Sequence, residues 1–238
     1  MEKNLEEIEE IEKDYLDNIF FMLSQDIDKM MDGLRSKDKI KEDWIKHFNR
    51  IDKMKKNSDF ARGAERIYFW LFNQFGTPNS SPIGADMFFE THKAFVHIDI
   101  KTAKLNNKSD YLGKIPISEN QTSYRSTKQR FNSNLPYFYN QNKVEEKICL
   151  TYIISIIYDE VEDFKIKSIV LLSISNGELY SIYKDKIIGK GKNKGKSFRY
   201  TYKNKPKFEL LRDKPYRVKV LWLDKDLEEK DILGFSSE

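Results

Sequence analysis

Cysteine is almost missing from this chain: Cys149 stands alone among 238 residues. One thiol can build neither a disulfide framework nor a cysteine-rich zinc site. It fits a reducing interior, so a cytoplasmic location is expected. Histidine is also scarce, with His47, His92 and His97 too scattered for the spacing of a zinc site. Prolines number 6 and glycines 10, and no stretch reads as a long flexible linker. No apolar run reaches the roughly 18 residues that would suggest a membrane span. The chain opens on Glu2 and Lys3, without an apolar signal core. The glycine patterns of P-loops, dinucleotide folds and serine-hydrolase elbows are absent. Aromatic residues are plentiful, with 16 Phe, 13 Tyr and 3 Trp, which excludes a disordered chain. At this length a core forms without a disulfide or structural metal.

The net charge of +4 is unevenly spread. Residues 1–32 hold 11 acids and 3 lysines, so the head carries −8 and the remainder +12. An acidic head on a basic body points to a polyanionic partner. A general enrichment in Lys, Asn and Ile would raise the lysine count without clustering it.

The apolar spacing of Leu5, Ile8, Ile11 (or Glu12), Tyr15, Ile19, Met22 and Leu23 predicts one amphipathic helix over residues 4–32. Its acids crowd the N-terminal half, where the helix dipole favours them. Further helices are expected over 40–56 and 60–75, the latter stopped by Gly76 and Pro78, with a loop at 77–84. Residues 85–90 and 94–104 then read as a strand pair joined by a short turn at Thr91–Lys93. A helix is expected within 119–131. Residues 148–159 read as a buried strand or a buried helix, and 166–175, 178–183, 198–202 and 216–223 as strands. The fold class is therefore α/β, with a central mixed sheet flanked by helices under an N-terminal helical layer. We read a single domain over 1–238: a helical layer at 1–58, a core at 59–160 and a strand-rich part at 161–238.

The most informative segment runs from Asp86 to Lys101. Asp99 and Lys101 are two apart on a strand and leave the same face, as does His97, while Ile98 and Ile100 point oppositely into the core. Asp86 opens the preceding strand, and pairing of the two strands brings it beside Asp99. Two carboxylates held together repel unless a cation lies between them. Mg²⁺ is the natural candidate, being a hard ion that accepts carboxylates, water and phosphate together. With a lysine alongside, the set is complete for phosphodiester hydrolysis. Glu90 shares the strand parity of Asp86 and is a rival ligand.

Asp86, followed after 12 residues by Asp99-Ile100-Lys101, resembles the PD-(D/E)xK nuclease signature, with Ala85 where the family often has Pro. The resemblance implies a mixed sheet with flanking helices. It also implies a supporting glutamate from the preceding helix, for which Glu65 matches, and a polar segment after the motif strand, matched by Gln121, Tyr124 and Arg125. Within the superfamily, residues 60–160 look most like type II restriction endonucleases, the EcoRV-like branch above all. That implies Mg²⁺-dependent, site-specific cleavage of double-stranded DNA to 5′-phosphate and 3′-hydroxyl ends. It also implies a homodimer, a tendency to cut bluntly, and a cognate methyltransferase as a possible companion.

The remaining basic residues suit a DNA partner. Residues 184–207 hold ten Lys or Arg and one acid, with glycines at 189, 191 and 195. Lys190, Lys192, Lys194 and Lys196 suit phosphate contacts, and Arg199 and Tyr200 suit sugars or base edges. Gln121, Thr122, Ser123, Tyr124, Arg125, Lys128 and Arg130 are of the types that read bases. The N-terminal helix either covers the sheet or supplies a dimer surface, its acidic face turned from DNA. Two other readings stand beside this one: a structure-directed repair or recombination nuclease of the same fold, and a non-catalytic DNA-binding protein whose acid pair is structural.

Overall fold

The computed structural model describes residues 5–35, 64–65, 67–68, 72, 86–117, 138–140, 146–161, 164–174, 198–200 and 217–236. The expected helix at 40–56, the loop at 77–84, the helix within 119–131 and the strand at 178–183 lie outside them. The described elements are helices α1 (Leu5–Gln25) and α2 (Ile27–Arg35), strands β1 (Met87–Glu90), β2 (Ala94–Lys104), β3 (Ile115–Ile117), β4 (Phe138–Asn140), β5 (Glu146–Asp159), β6 (Lys165–Ile174), β7 (Phe198–Tyr200) and β8 (Val218–Leu223), and helix α3 (Glu229–Leu233). Helical backbone also occurs at Ala64, Glu65, Ile67, Tyr68 and Phe72, inside the expected 60–75 helix.

The main sheet runs β1-β2-β5-β6-β8, with β4 also on β5, and β3 pairs with β7 in a small second sheet. It is mixed: β2 and β5 are parallel, and the other pairings antiparallel. Strand β5 resolves the ambiguous run at 148–159. Ile148, Leu150, Tyr152, Ile154, Ile156 and Tyr158 enter one core, while Ile153 and Ile157 enter the other. A central parallel strand covered on both faces reads as an unbroken apolar run, because neither face meets water. The first core lies between the sheet and the N-terminal helices, where Ile8, Leu16, Ile19, Leu23, Met30 and Leu34 join Ala64, Tyr68 and Phe72. The second gathers Tyr111, Ile115, Ile117, Ile232 and Leu233 over the opposite face. Each fully buried aliphatic side chain contributes about 1.5–3 kcal/mol relative to exposure.

One expectation is corrected, and two features lie beyond the sequence reading. The N-terminal helix is two helices, not one, because the chain tightens at residue 26: the Asp26 N–H donates to the Leu23 carbonyl at 3.1 Å. Its acids are not all turned outward. Glu9 and Glu12 are buried, and Arg217 answers them, with Nε 2.8 Å from Glu12 Oε1 and Nη2 3.0 Å from Glu9 Oε1. Ser173 donates to Glu12 as well, and Tyr152 donates to the Glu12 carbonyl at 2.7 Å. Finally, β2 is covered on both faces from Ala94 to Ile100, so its polar face is not open, and His97 is buried.

Candidate active site

The β1–β2 register places Met87 opposite Ile98, so Asp86, one residue before β1, falls beside Asp99. Asp86 Oδ2 accepts the Ile100 N–H at 2.7 Å, which fixes the carboxylate against the neighbouring strand. The hairpin is anchored at its turn, where the Tyr15 and Thr91 hydroxyls lie 2.6 Å apart and tie it to α1. Thr91 also accepts the Ala94 N–H at 3.0 Å, closing the turn. Asp99 is 2% exposed, and its Oδ2 faces the ammonium of Lys101, which is 17% exposed. Strand alternation produces this pairing, since residues two apart leave one face.

The electrostatics follow from crowding. The Asp86 carboxyl is pushed up to about 8, first by burial, then by the Asp99 carboxylate, then by that of Glu65; the Ile100 N–H and the Lys101 ammonium oppose the shift. One side of Asp86 remains open to solvent, which weakens the effect of burial. The like-charge effect is set by strand pairing and persists. Glu65 therefore lies within electrostatic reach of Asp86, on helical backbone one residue from the buried Ala64. Among the described residues no three acidic or histidine side chains gather at ligating distance. The donor set nevertheless suits a hard dication. Two carboxylates repel across adjacent strands, and a buried carboxylate oxygen faces a cation already.

The other expected site residues divide clearly. Glu90 pairs with Phe95, four residues along β2 from Asp99, or about 13 Å at strand rise. The register thus separates this rival from the acid pair. Arg199 and Tyr200 lie in β7, paired with Pro116 and Ile115 of β3. Gln121, Thr122, Ser123, Tyr124, Arg125, Lys128, Arg130, Lys190, Lys192, Lys194 and Lys196 lie outside the described residues. The sequence reading passed over Thr151 and Ser155. They are the two aliphatic hydroxyls in the apolar run of β5, and the register sets them beside His97 and Lys101. Their polarity within that run was the signal.

Comparison with known proteins bears on the family and the fold. Residues 4–163 match the family of the N-terminal domain of the type II restriction enzyme MwoI. Residues 166–223 match that enzyme's central domain. Among solved structures, the restriction endonuclease BglI bound to its DNA recognition sequence is similar, with a TM-score of 0.56, 17% identity and 94% of each chain covered. At that identity the likeness concerns the fold: a mixed sheet with helices. No curated protein matches. With the two domains running consecutively through most of its length, the chain belongs to the MwoI family of type II restriction enzymes and is a site-specific deoxyribonuclease.

Proposed function

We propose that this endonuclease cleaves double-stranded DNA with Mg²⁺ held by Asp86 and Asp99, that Lys101 supports the reaction, and that Glu65 completes the site. The observation that carries the reading is the juxtaposition of Asp86 with the buried Asp99–Lys101 pair on adjacent strands. When bound, the ion would polarise the phosphodiester and offset charge on the leaving oxygen. The chain's own part is positioning. Ile100 N–H holds Asp86, the core beneath β2 holds Asp99, and the Lys101 ammonium supplies positive charge for the attacking water or the phosphate. Water attacks phosphorus in line, leaving a 5′-phosphate and a 3′-hydroxyl.

The spacing Asp86-x12-Asp99-x-Lys101 and the strand order support membership of the PD-(D/E)xK superfamily, and the same residues resemble its EcoRV-like branch. A homodimer suits a palindromic target, one subunit cutting each strand. The solved BglI complex with its recognition sequence supports duplex DNA as substrate. Residues 121–130 and 184–207 are our candidates for base and phosphate contacts, and a cognate methyltransferase would protect the same sites. One core domain with an N-terminal helical layer, acting in the cytoplasm, fits the single cysteine. No described helix is long and apolar enough to cross a membrane.

The test is incubation of purified protein with long unmethylated DNA, with and without Mg²⁺, beside Asp99→Ala. Discrete Mg²⁺-dependent fragments lost in the variant support the reading. A smear would favour a structure-directed nuclease, and intact DNA across divalent metals and several genomes would favour a binding protein.

A further inference from the structure

Strand β5 carries a feature that apolar packing does not require. Its run from Ile148 to Tyr158 is interrupted on one face by two hydroxyls, Thr151 and Ser155. In the parallel β2–β5 register, Thr151 is the partner of His97, Ile153 of Asp99 and Ser155 of Lys101. Paired residues on adjacent strands project to the same face, with backbones about 4.8 Å apart. Each hydroxyl of β5 thus falls beside a nitrogen-bearing side chain of β2. Ser155 is 6% exposed, and on β6 its partner is the buried Val170. An aliphatic residue would fit this setting, and a buried hydroxyl there carries a cost unless it is hydrogen-bonded.

The Lys101 ammonium rests on Asp99 Oδ2. That oxygen is one a divalent cation would need. A dication on that oxygen would repel the ammonium, which a second acceptor nearby would then hold. We propose that Ser155 is a positioning residue for Lys101: its hydroxyl oxygen accepts a hydrogen bond from the ammonium when the metal takes Asp99, and keeps the lysine at the reacting phosphate. The cross-strand neighbours Ile153 and Val170 are aliphatic; the other hydroxyls of that face, Thr151 and Ser168, lie beside His97 and Ile157 in the register, so Ser155 is the one paired directly with Lys101. This inference rests on the assignment of Asp86, Asp99 and Lys101 made above.

The experiment compares wild type with Ser155→Ala, Ser155→Thr and Asp99→Asn. Two quantities are read: Mn²⁺ binding to the protein without DNA, by titration calorimetry, and the single-turnover rate on a mapped site. For Ser155→Ala we expect Mn²⁺ affinity to fall several-fold, because the ammonium stays on Asp99. We expect the cleavage rate to fall on the order of tenfold, the scale of one hydrogen bond to a charged group. Binding of DNA in Ca²⁺ should stay unchanged, and Ser155→Thr should restore both quantities. If Ser155→Ala does not fold, Ser155→Cys, similar in size with a weak acceptor, carries the same test. Wild-type Mn²⁺ affinity and rate in the hydroxyl-free variant would overturn the proposal. If Asp99→Asn is inactive while Ser155→Ala behaves as wild type, the positioning role alone fails. If Asp99→Asn still binds Mn²⁺ and cleaves, the underlying site assignment fails.

Discussion

Replacing Asp86 with Asn should make the metal-free protein more stable while abolishing cleavage. The Asp86 carboxyl holds its proton up to about pH 8 in the folded chain, because burial and the Asp99 and Glu65 carboxylates disfavour its charge. In the unfolded chain it loses that proton near pH 4. The group's stabilising contribution is therefore complete below pH 4 and is lost as pH rises toward 8. At 1.36 kcal/mol per pH unit the whole window would amount to roughly 5 kcal/mol. Asp86 has an open side, and solvent screening reduces this to about 1–2 kcal/mol. Asparagine keeps an oxygen to accept the Ile100 N–H and carries no charge, so the hydrogen bond at 2.7 Å survives. Urea unfolding in EDTA should show Asp86→Asn more stable than wild type by about 1–2 kcal/mol at pH 8, with the gap shrinking below about pH 5 and mostly closed at about pH 3.5. Excess Mg²⁺ should reverse the order, since only the wild type gains from binding. A gap of constant size across pH, or a wild type more stable than the variant at pH 8 in EDTA, would refute the repulsion argument.

The remaining predictions concern the rest of the site and the scaffold. Arg217→Ala should cost about 3–5 kcal/mol, because it strands Glu9 and Glu12 in the interior; a melting temperature lowered by only 1 °C would contradict the network's structural role. Ile154→Ala, at a fully buried position of β5, should cost about 2–5 kcal/mol by denaturant titration. Lys101→Ala should reduce single-turnover cleavage by about a hundredfold or more while leaving DNA affinity in Ca²⁺ within a few-fold, as expected for a charge acting in the transition state.

Much of the site was legible because it is local. Asp86, Asp99 and Lys101 lie within 16 residues, and strand alternation alone dictates which of them share a face. The β1–β2 hairpin was likewise readable from its short turn and β-rich flanks. What escaped was non-local. The burial of Glu9 and Glu12 as an ion pair could not be read, because their partner, Arg217, lies more than 200 residues away in the chain. The second cover over β2, from Tyr111, Ile115, Ile117, Ile232 and Leu233, was hidden for the same reason. The break at Asp26 escaped because Asp and Gln are tolerated in helices, and only the 3.1 Å turn to Leu23 reveals it. Ser155 could be placed beside Lys101 only once β2 and β5 were known to pair in parallel, which no sequence period announces.

The most direct test of the central claim is single-turnover cleavage of a mapped site by wild type and Asp99→Asn, with DNA binding measured in Ca²⁺ on the same preparations. Asn matches Asp in size but cannot supply a full negative charge to a dication or to Lys101. The account predicts Mg²⁺-dependent cutting by wild type, and an Asp99→Asn protein that folds and binds the site but leaves it intact. Cleavage by Asp99→Asn at a rate near wild type would place the chemistry elsewhere in the chain.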